Sequence, residues 1–313
     1  MKQSRLSILA IMVILLTASC SRGVRMSREL AAIDSLTNIN PDSALVLLGQ
    51  MDTLSMRHAD RMCVELLRGK AMNKAFVDFT TDSTMLQVVR YFDRHGDANQ
   101  RMLAHYVLGC AYRDMGSAPR ALEQYQQAAA QADTTSASCD LSTLMRVHSQ
   151  MLDLYTLLRL HDREIEEASE AENLCWKLGD TLSAMLFKQQ PLHYLFYKGD
   201  FEECIKKTLS LYRQYLTLGE TDRAALLCNL LIKCYLETED YQKAKHYLDI
   251  YASCSYFKTD TRKIIGGAGP LFIYKGRCYL GFGKVDSAEF CFKTSLEQKK
   301  LWNNALLAYK GLY

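Results

Sequence analysis

Apolar residues recur along almost the whole chain at three- and four-residue intervals, the spacing that lines one face of a helix. No stretch alternates with period two, so strands are not expected. Arg28 to Thr37 reads as a first helix. Pro41-Asp42-Ser43-Ala44-Leu45-Val46-Leu47-Leu48 reads as a second, with Asn40 as its cap and Pro41 in the first turn, where a missing amide costs nothing. Residues 57 to 76 and 82 to 95 predict a further pair, closed by Gly96. The same pairing continues downstream and gives about seven helical hairpins. With four prolines in 313 residues, long helices are allowed nearly everywhere.

The hairpins share a grid. Between residues 102 and 135 stand Leu108-Gly109, Tyr112, Gly116, Ala121, Tyr125 and Ala128; Gly276, Tyr279, Gly283, Ala288 and Phe292 repeat it. Tyr112 to Ala121, Tyr235 to Ala244 and Tyr279 to Ala288 each span nine residues, and a large residue follows four positions on (Tyr125, Leu248, Phe292). Two fainter copies lie between. One runs from Tyr155 to the helix around Ala168 and Ala171, with Glu164 where a small residue is expected. The other is Tyr194-Leu195-Phe196-Tyr197-Lys198-Gly199-Asp200-Phe201, with Gly199 at the turn and Cys204 as the small residue. Gly109 and Ala121 let the two helices of a hairpin approach closely, Tyr112 and Tyr125 fill the space around that contact, and Gly116 suits a left-handed cap. The grid resembles the tetratricopeptide repeat. The resemblance implies an all-α α-solenoid, a right-handed superhelix of antiparallel hairpins over residues 27–313, which binds other proteins and carries no chemistry of its own. The copies start about 40 to 44 residues apart, against about 34 for the plain unit, so helices or turns are longer than minimal.

The start of the chain gives an address. Lys2 and Arg5 precede an apolar run from Leu6 to Leu16, which is too short to span a bilayer and reads as a signal peptide, residues 1–19. Thr17-Ala18-Ser19-Cys20 resembles a bacterial lipobox, with the usual Leu one step early at Leu16. That likeness implies a Cys20 acylated through sulfur, a linker over 20–26, and a protein tethered to a membrane of the cell envelope; each buried methylene of the acyl chains contributes about 0.8 kcal/mol. Together with Asp42-Ser43-Ala44-Leu45, Tyr91-Phe92-Asp93-Arg94-His95-Gly96-Asp97 and Ala104-His105-Tyr106-Val107-Leu108-Gly109, nearly the whole chain resembles the tetratricopeptide lipoproteins of Bacteroides-type bacteria. Ser21-Arg22-Gly23-Val24 lacks the acidic cluster such relatives use for surface display, which implies repeats facing the periplasm. The segment Asn304 to Tyr313 reads as the first helix of another hairpin, either a truncated copy or a capping helix.

Charge and chemistry narrow the function. Without the leader, 36 basic residues face 35 acidic ones, which is no footprint for nucleic acid. Glu164, Glu166, Glu167, Glu170 and Glu172 form an acidic stretch, expected as one exposed helix face. Ten cysteines besides Cys20 are scattered without a CxxC, so neither a zinc site nor a thioredoxin-type pair is expected; they read as mostly free, buried thiols. HExxH, Walker and GxSxG motifs are absent. Ser255-Tyr256-Phe257-Lys258 spells SxxK without its companion motifs and reads as a chance match. Gly266-Gly267-Ala268-Gly269-Pro270 reads as a loop between hairpins. An enzyme, a metal and a cofactor are therefore not expected.

In tetratricopeptide proteins the first helix of each hairpin lines a groove. Carried over through the resemblance, the groove positions here include Tyr106, Arg113, Asp114, Arg146, Asp153, Gln189, His193, Phe196, Tyr197, Asn229, Lys233 and Arg277. The partner-binding candidates are Tyr106, Arg113, Arg146, His193, Tyr197, Asn229, Lys233 and Arg277, a basic and aromatic set suited to a protein or peptide with an acidic or extended segment. The expected role is a membrane-anchored interaction scaffold, as the sensory or adaptor part of a signalling or envelope assembly. An outer-membrane assembly or glycan-uptake lipoprotein is the alternative, weakened by the presence of only Trp176 and Trp302 as indole platforms. The two-Asn, Lys-rich carboxylate clamp of chaperone-tail binders is absent.

Overall fold

The computed structural model describes residues 23–254 and 268–297. The leader, Cys20, the SxxK match, Trp302 and the segment from Asn304 to Tyr313 lie outside the described residues.

Fourteen helices occur among the described residues, and no strand. They pair as α1 (Arg28–Ile39) with α2 (Pro41–Gln50), α3 (His58–Lys74) with α4 (Ser83–His95), α5 (Ala98–Asp114) with α6 (Ala118–Gln131), and α7 (Leu141–Leu158) with α8 (His161–Lys177). The pairs continue as α9 (Thr181–Lys198) with α10 (Phe201–Thr217), α11 (Thr221–Glu237) with α12 (Tyr241–Ala252), and α13 (Ala268–Gly281) with α14 (Val285–Glu297). Seven hairpins result, as the apolar spacing predicts. Ala268-Gly269-Pro270, expected as loop, instead form the first turn of α13; a proline is at home there because no helical carbonyl awaits its missing amide.

Side chains fix the helix starts. The Asn40 carboxamide oxygen accepts from the Ser43 amide at 3.0 Å. Asp97 and Gln100 form a reciprocal box at 2.9 and 3.1 Å. Asp140, Asp200 and Asp240 cap α7, α10 and α12 with a single bond each, from the amide three residues on.

The grid also explains the hairpin ends. Six residues with positive φ close the first helix of successive hairpins: Phe76, Gly116, Arg159, Gly199, Glu239 and Gly283. In each of four of these turns a tyrosine carbonyl accepts the closing amide five positions on: Ser117 to Tyr112 at 2.8 Å, Leu160 to Tyr155 at 2.9 Å, Asp240 to Tyr235 at 2.9 Å and Lys284 to Tyr279 at 2.8 Å. Within the hairpin, a methyl on Gly109 would stand 2.5 Å from the Tyr125 ring, and one on Gly276 would stand 2.5 Å from Phe292. These are the close approaches expected of the small positions. Tyr125, Ala121, Ala244, Cys204 and Phe292 are fully buried.

Backbone contacts gather the chain into two compact units, the first ending at Ala184 and the second beginning at Met185, inside α9. In the first, Leu66, Phe92, Leu108 and Tyr125 belong to one continuous apolar core. In the second, Tyr215, Leu231 and Phe292 centre smaller clusters.

Candidate functional site

The first helices of the hairpins in the first unit (α1, α3, α5 and α7) are stitched side by side by polar side chains. Lys70 Nζ on α3 reaches Asp34 Oδ1 on α1 at 2.6 Å. Next to it, Lys74 donates to the Asn38 side chain. Asn73 Nδ2 donates to the Tyr106 hydroxyl on α5 at 3.3 Å, and Arg113 Nη2 donates to Asn73 Oδ1 at 3.2 Å. Arg113 Nη1 then donates to Gln150 Oε1 on α7 at 2.5 Å, while its own neighbour Asp114 takes its Nε at 2.9 Å. Each link joins one hairpin to the next, so the face is built to hold its side chains in place.

One cation on this face is left over. Arg146, on α7, is exposed and makes no hydrogen bond or ion pair among the described residues. Its charge nonetheless acts on two other helices: it helps to hold the Tyr106 hydroxyl on α5 against the upward push of burial, and it pushes Lys74 on α3 down. The Lys74 ammonium is lowered to about 8, first by burial, then by repulsion from Arg146 and Lys70, with Asp34 and Asp140 opposing. Asp153, a turn and more further along α7, is exposed overall yet crowded around its carboxyl. That crowding raises its pKa against the pull of Arg113.

The eight sequence candidates divide three and five between the units. In the first, Tyr106 is buried and serves as a strut, Arg113 is the central tie of the network, and Arg146 is the open group. In the second, Asn229 Oδ1 accepts from the Tyr274 hydroxyl at 2.7 Å, and Arg277 pairs with Glu237 at 2.9 Å. Lys233 lies over the Phe196 ring at 6.0 Å, held below the ordinary lysine value by burial, with Cys234 opposing. Tyr197 is 75% exposed and His193 is exposed.

Sequence reasoning missed Asn73, Lys74 and Gln150. Lys74 ends its helix, outside the register the repeat assigns to groove residues. The signal that could have found it is the polar run Lys70, Asn73 and Lys74 at three- and four-residue spacing on the last turns of α3.

The acidic stretch is corrected by the structure. Glu164 is buried, with His161 Nδ1 at 3.0 Å, and Glu167 Oε2 lies 2.6 Å from His148 Nδ1. Positions three apart share a helix face, so these two turn inward while Glu166, paired with Arg163, turns out. The expected single exposed face is really two faces.

The ten cysteines from Cys63 to Cys291 carry free thiols, all buried except Cys139. Burial pushes Cys63, Cys110, Cys175 and Cys278 up to about 11 and Cys228 to about 12, which makes them packing residues with little thiolate character. Among the described residues no group of three His, Cys, Asp or Glu side chains could hold a metal.

No family model matches this chain, and no curated protein matches it in sequence. Solved structures do. The apo form of the quorum sensor NprR from B. thuringiensis is similar over 90% of this chain and 78% of its own, with 13% identity and a TM-score of 0.61. NprR in complex with its cognate peptide NprX matches over 90% and 80%, with 13% identity and a TM-score of 0.53. A putative kinesin light chain of Podospora anserina, with nearly identical TPR-like repeats, matches over 66% of this chain and all of its own, with 13% identity and a TM-score of 0.52. The fold is therefore that of a TPR-like helical-repeat protein.

Proposed function

We propose that this chain is a non-catalytic scaffold that holds a protein or peptide segment along the face of α1, α3, α5 and α7. The observation that carries the reading is the side-chain network itself. It immobilises Tyr106, Asn73 and Arg113 and leaves Arg146 open at its edge. A surface whose polar side chains are ordered in advance loses less entropy when it binds. NprR, of the same fold, has been solved with a cognate peptide, which supports a peptide or extended segment as the kind of ligand. In the second unit, taken by itself, exposed Tyr197 and half-buried Lys233 are proposed as contacts of their own, with Asn229 held by Tyr274 and Arg277 by Glu237.

The scaffold is proposed to sit in the cell envelope, tethered by acylated Cys20 and facing the periplasm. No helix among the described residues is long and apolar enough to cross a membrane, so the acyl group is the attachment proposed here.

The reading is tested by a photo-crosslinking amino acid placed at Asp153, exposed on this face, and at Glu123, exposed on α6. Irradiation in cells is expected to join a polypeptide to the Asp153 position and not to the Glu123 position. Equal yields at the two positions would overturn the assignment of the face.

A further inference from the structure

We propose that the ends of the first helices in the first unit form a ledge that docks a basic amphipathic helix of a partner protein, laid across α1, α3, α5 and α7. The ledge is the edge at which these hairpins turn, a different surface from the helix sides described above.

Every turn on that edge leaves an apolar residue in solvent. Ile39, which ends α1, is 81% exposed; Phe76, after α3, is 93% exposed; Met115, after α5, is 40% exposed; and Leu157, in the last turn of α7, is 73% exposed. Apolar residues scattered singly over a surface are ordinary, and turns favour small and polar residues. Here the exposed groups recur at one structural position in four successive hairpins. Polar ties hold that position in line. Lys74 donates to Asn38, beside Ile39. The Phe79 amide, in the loop that Phe76 opens, donates to Asp114 Oδ2, beside Met115, at 3.2 Å. Arg113 donates to Gln150 on α7, the helix that carries Leu157.

Phe76 carries the argument furthest. Its φ is +55°, in the region where Gly116, Gly199 and Gly283 close other hairpins. A bulky side chain is strained there. The turn is already closed by the Val77 amide on the Met72 carbonyl at 3.0 Å, so the ring is not needed for it. A side chain that strains the backbone and buries almost nothing within the fold is accounted for by a contact outside the chain.

Spacing selects the partner. Neighbouring packed helices lie about 8 to 10 Å apart, so the four groups form a row of about 25 to 30 Å. Helical residues seven apart share a face and stand about 10 Å apart, so a helix of about 20 residues meets the whole row. An extended segment covers the same step in about three residues, and an odd step turns alternate side chains away. Charge selects further. Asp42, Asp78 and Asp162 border the row, exposed and without an ion pair among the described residues. Of the neighbouring cations, Arg120 and Arg163 face Asp82 and Glu166, Lys74 is bonded to Asn38, and Arg159 is left open. Unpaired acids around an apolar row suit a helix with lysine or arginine on its flanks. A lipid surface fits less well, because Val24 is bonded to Gln100 at the opposite end of α5, where the proposed tether leaves the fold.

The test uses the whole protein and a fluorescein-labelled helical peptide of about 20 residues, with leucine at every seventh position and lysine and alanine between. Fluorescence anisotropy is expected to show binding. A peptide of the same composition in shuffled order, and one with glutamate for lysine, are each expected to bind at least tenfold more weakly. Phe76→Gly is expected to weaken binding at least tenfold while raising the melting temperature, since it removes the ring and relieves the backbone together; a merely structural role would not separate the two. Leu157→Ser should weaken binding with helical content unchanged. A peptide that fails to bind the unaltered protein, or that binds the Phe76→Gly protein equally well, overturns the proposal. So does equal binding of the shuffled peptide. Quenching of a fluorescent amino acid at Met115 by brominated lipid vesicles, with no peptide present, would assign the ledge to a membrane and overturn it as well.

Discussion

Lys74 illustrates how a single side chain reports on neighbours it does not touch. Three elements set its titration: burial within α3, the like charges of Arg146 and Lys70, and the weaker opposing pull of Asp34 and Asp140. Removing a repelling cation must favour the protonated amine, so Arg146→Ala is expected to raise the Lys74 midpoint above about 8, and Asp34→Asn to lower it further. An NMR titration of the protein with its lysines 13C-methylated checks both, and a midpoint unmoved by Arg146→Ala would mean that the guanidinium does not act on Lys74. A pH dependence follows with a definite sign. As pH rises through 8 the amine loses its charge, so any anion held by Lys74 should bind more weakly above pH 8 than at pH 7. None of this was legible in the sequence. Lys74 and Arg146 are far apart in the chain and in different hairpins, and only the stacking of α3, α5 and α7 brings them to one face. Arg146 could be placed from the repeat register, but its lack of a partner could not.

Two glycines separate the forces that build a hairpin. Gly109 is required by space: the ring of Tyr125 occupies the volume a side chain would take, with 2.5 Å left for a methyl. Gly116 is required by backbone: its φ is +72°, while a methyl there would meet nothing within 4 Å. Gly109→Leu is expected to cost about 1 to 3 kcal/mol by overpacking, and Gly116→Ala about 1 kcal/mol through left-handed strain alone. Adding Tyr125→Leu should recover part of the first loss but cannot touch the second, and thermal melts of the wild type, the three single variants and the two doubles distinguish the cases. Equal rescue of both glycine variants by the Tyr125 change would contradict this division. At this scale the sequence was most informative, because the grid records contacts within about twenty residues. Tyr112, Gly116 and Ala121 each mark a turn bond, a left-handed residue or a close approach that the structure contains. Phe76, Arg159 and Glu239 were not legible as turn residues. They adopt the same left-handed conformation without glycine, held by the closing bonds of the turn, and nothing in their side chains announces it. The acidic stretch of α8 misled for a related reason. Composition shows five carboxylates but not that His148 and His161 stand ready to receive two of them.

For the molecule as a whole, the beginning of the described chain constrains how a tether could hold it. Val24 is pinned to the start of α5: its amide donates to Gln100 Oε1 at 2.8 Å, and its carbonyl accepts from Gln100 Nε2 at 2.7 Å. Three residues lie between Cys20 and Val24, so the four steps of chain reach at most about 14 Å. The acyl chain proposed on Cys20 would therefore keep the N-terminal end of α5 close to the bilayer. Ser138, whose carbonyl accepts from Asn99 on the first turn of α5 at 2.7 Å, shares that edge and is exposed. Met115 follows the other end of the seventeen-residue helix, about 25 Å away along its axis. In protein bound to vesicles through its acyl group, a fluorescent amino acid at Ser138 is expected to be quenched by brominated lipids, and one at Met115 to be spared. Cys20→Ser should abolish membrane association, or leave the leader uncut, because a nearly balanced charge provides no electrostatic attraction to replace the acyl chain. Two results would count against the arrangement. A processed Cys20→Ser protein that still fractionates with membranes would remove the lipid anchor, and quenching at Met115 equal to that at Ser138 would remove the orientation that the Val24 contact imposes.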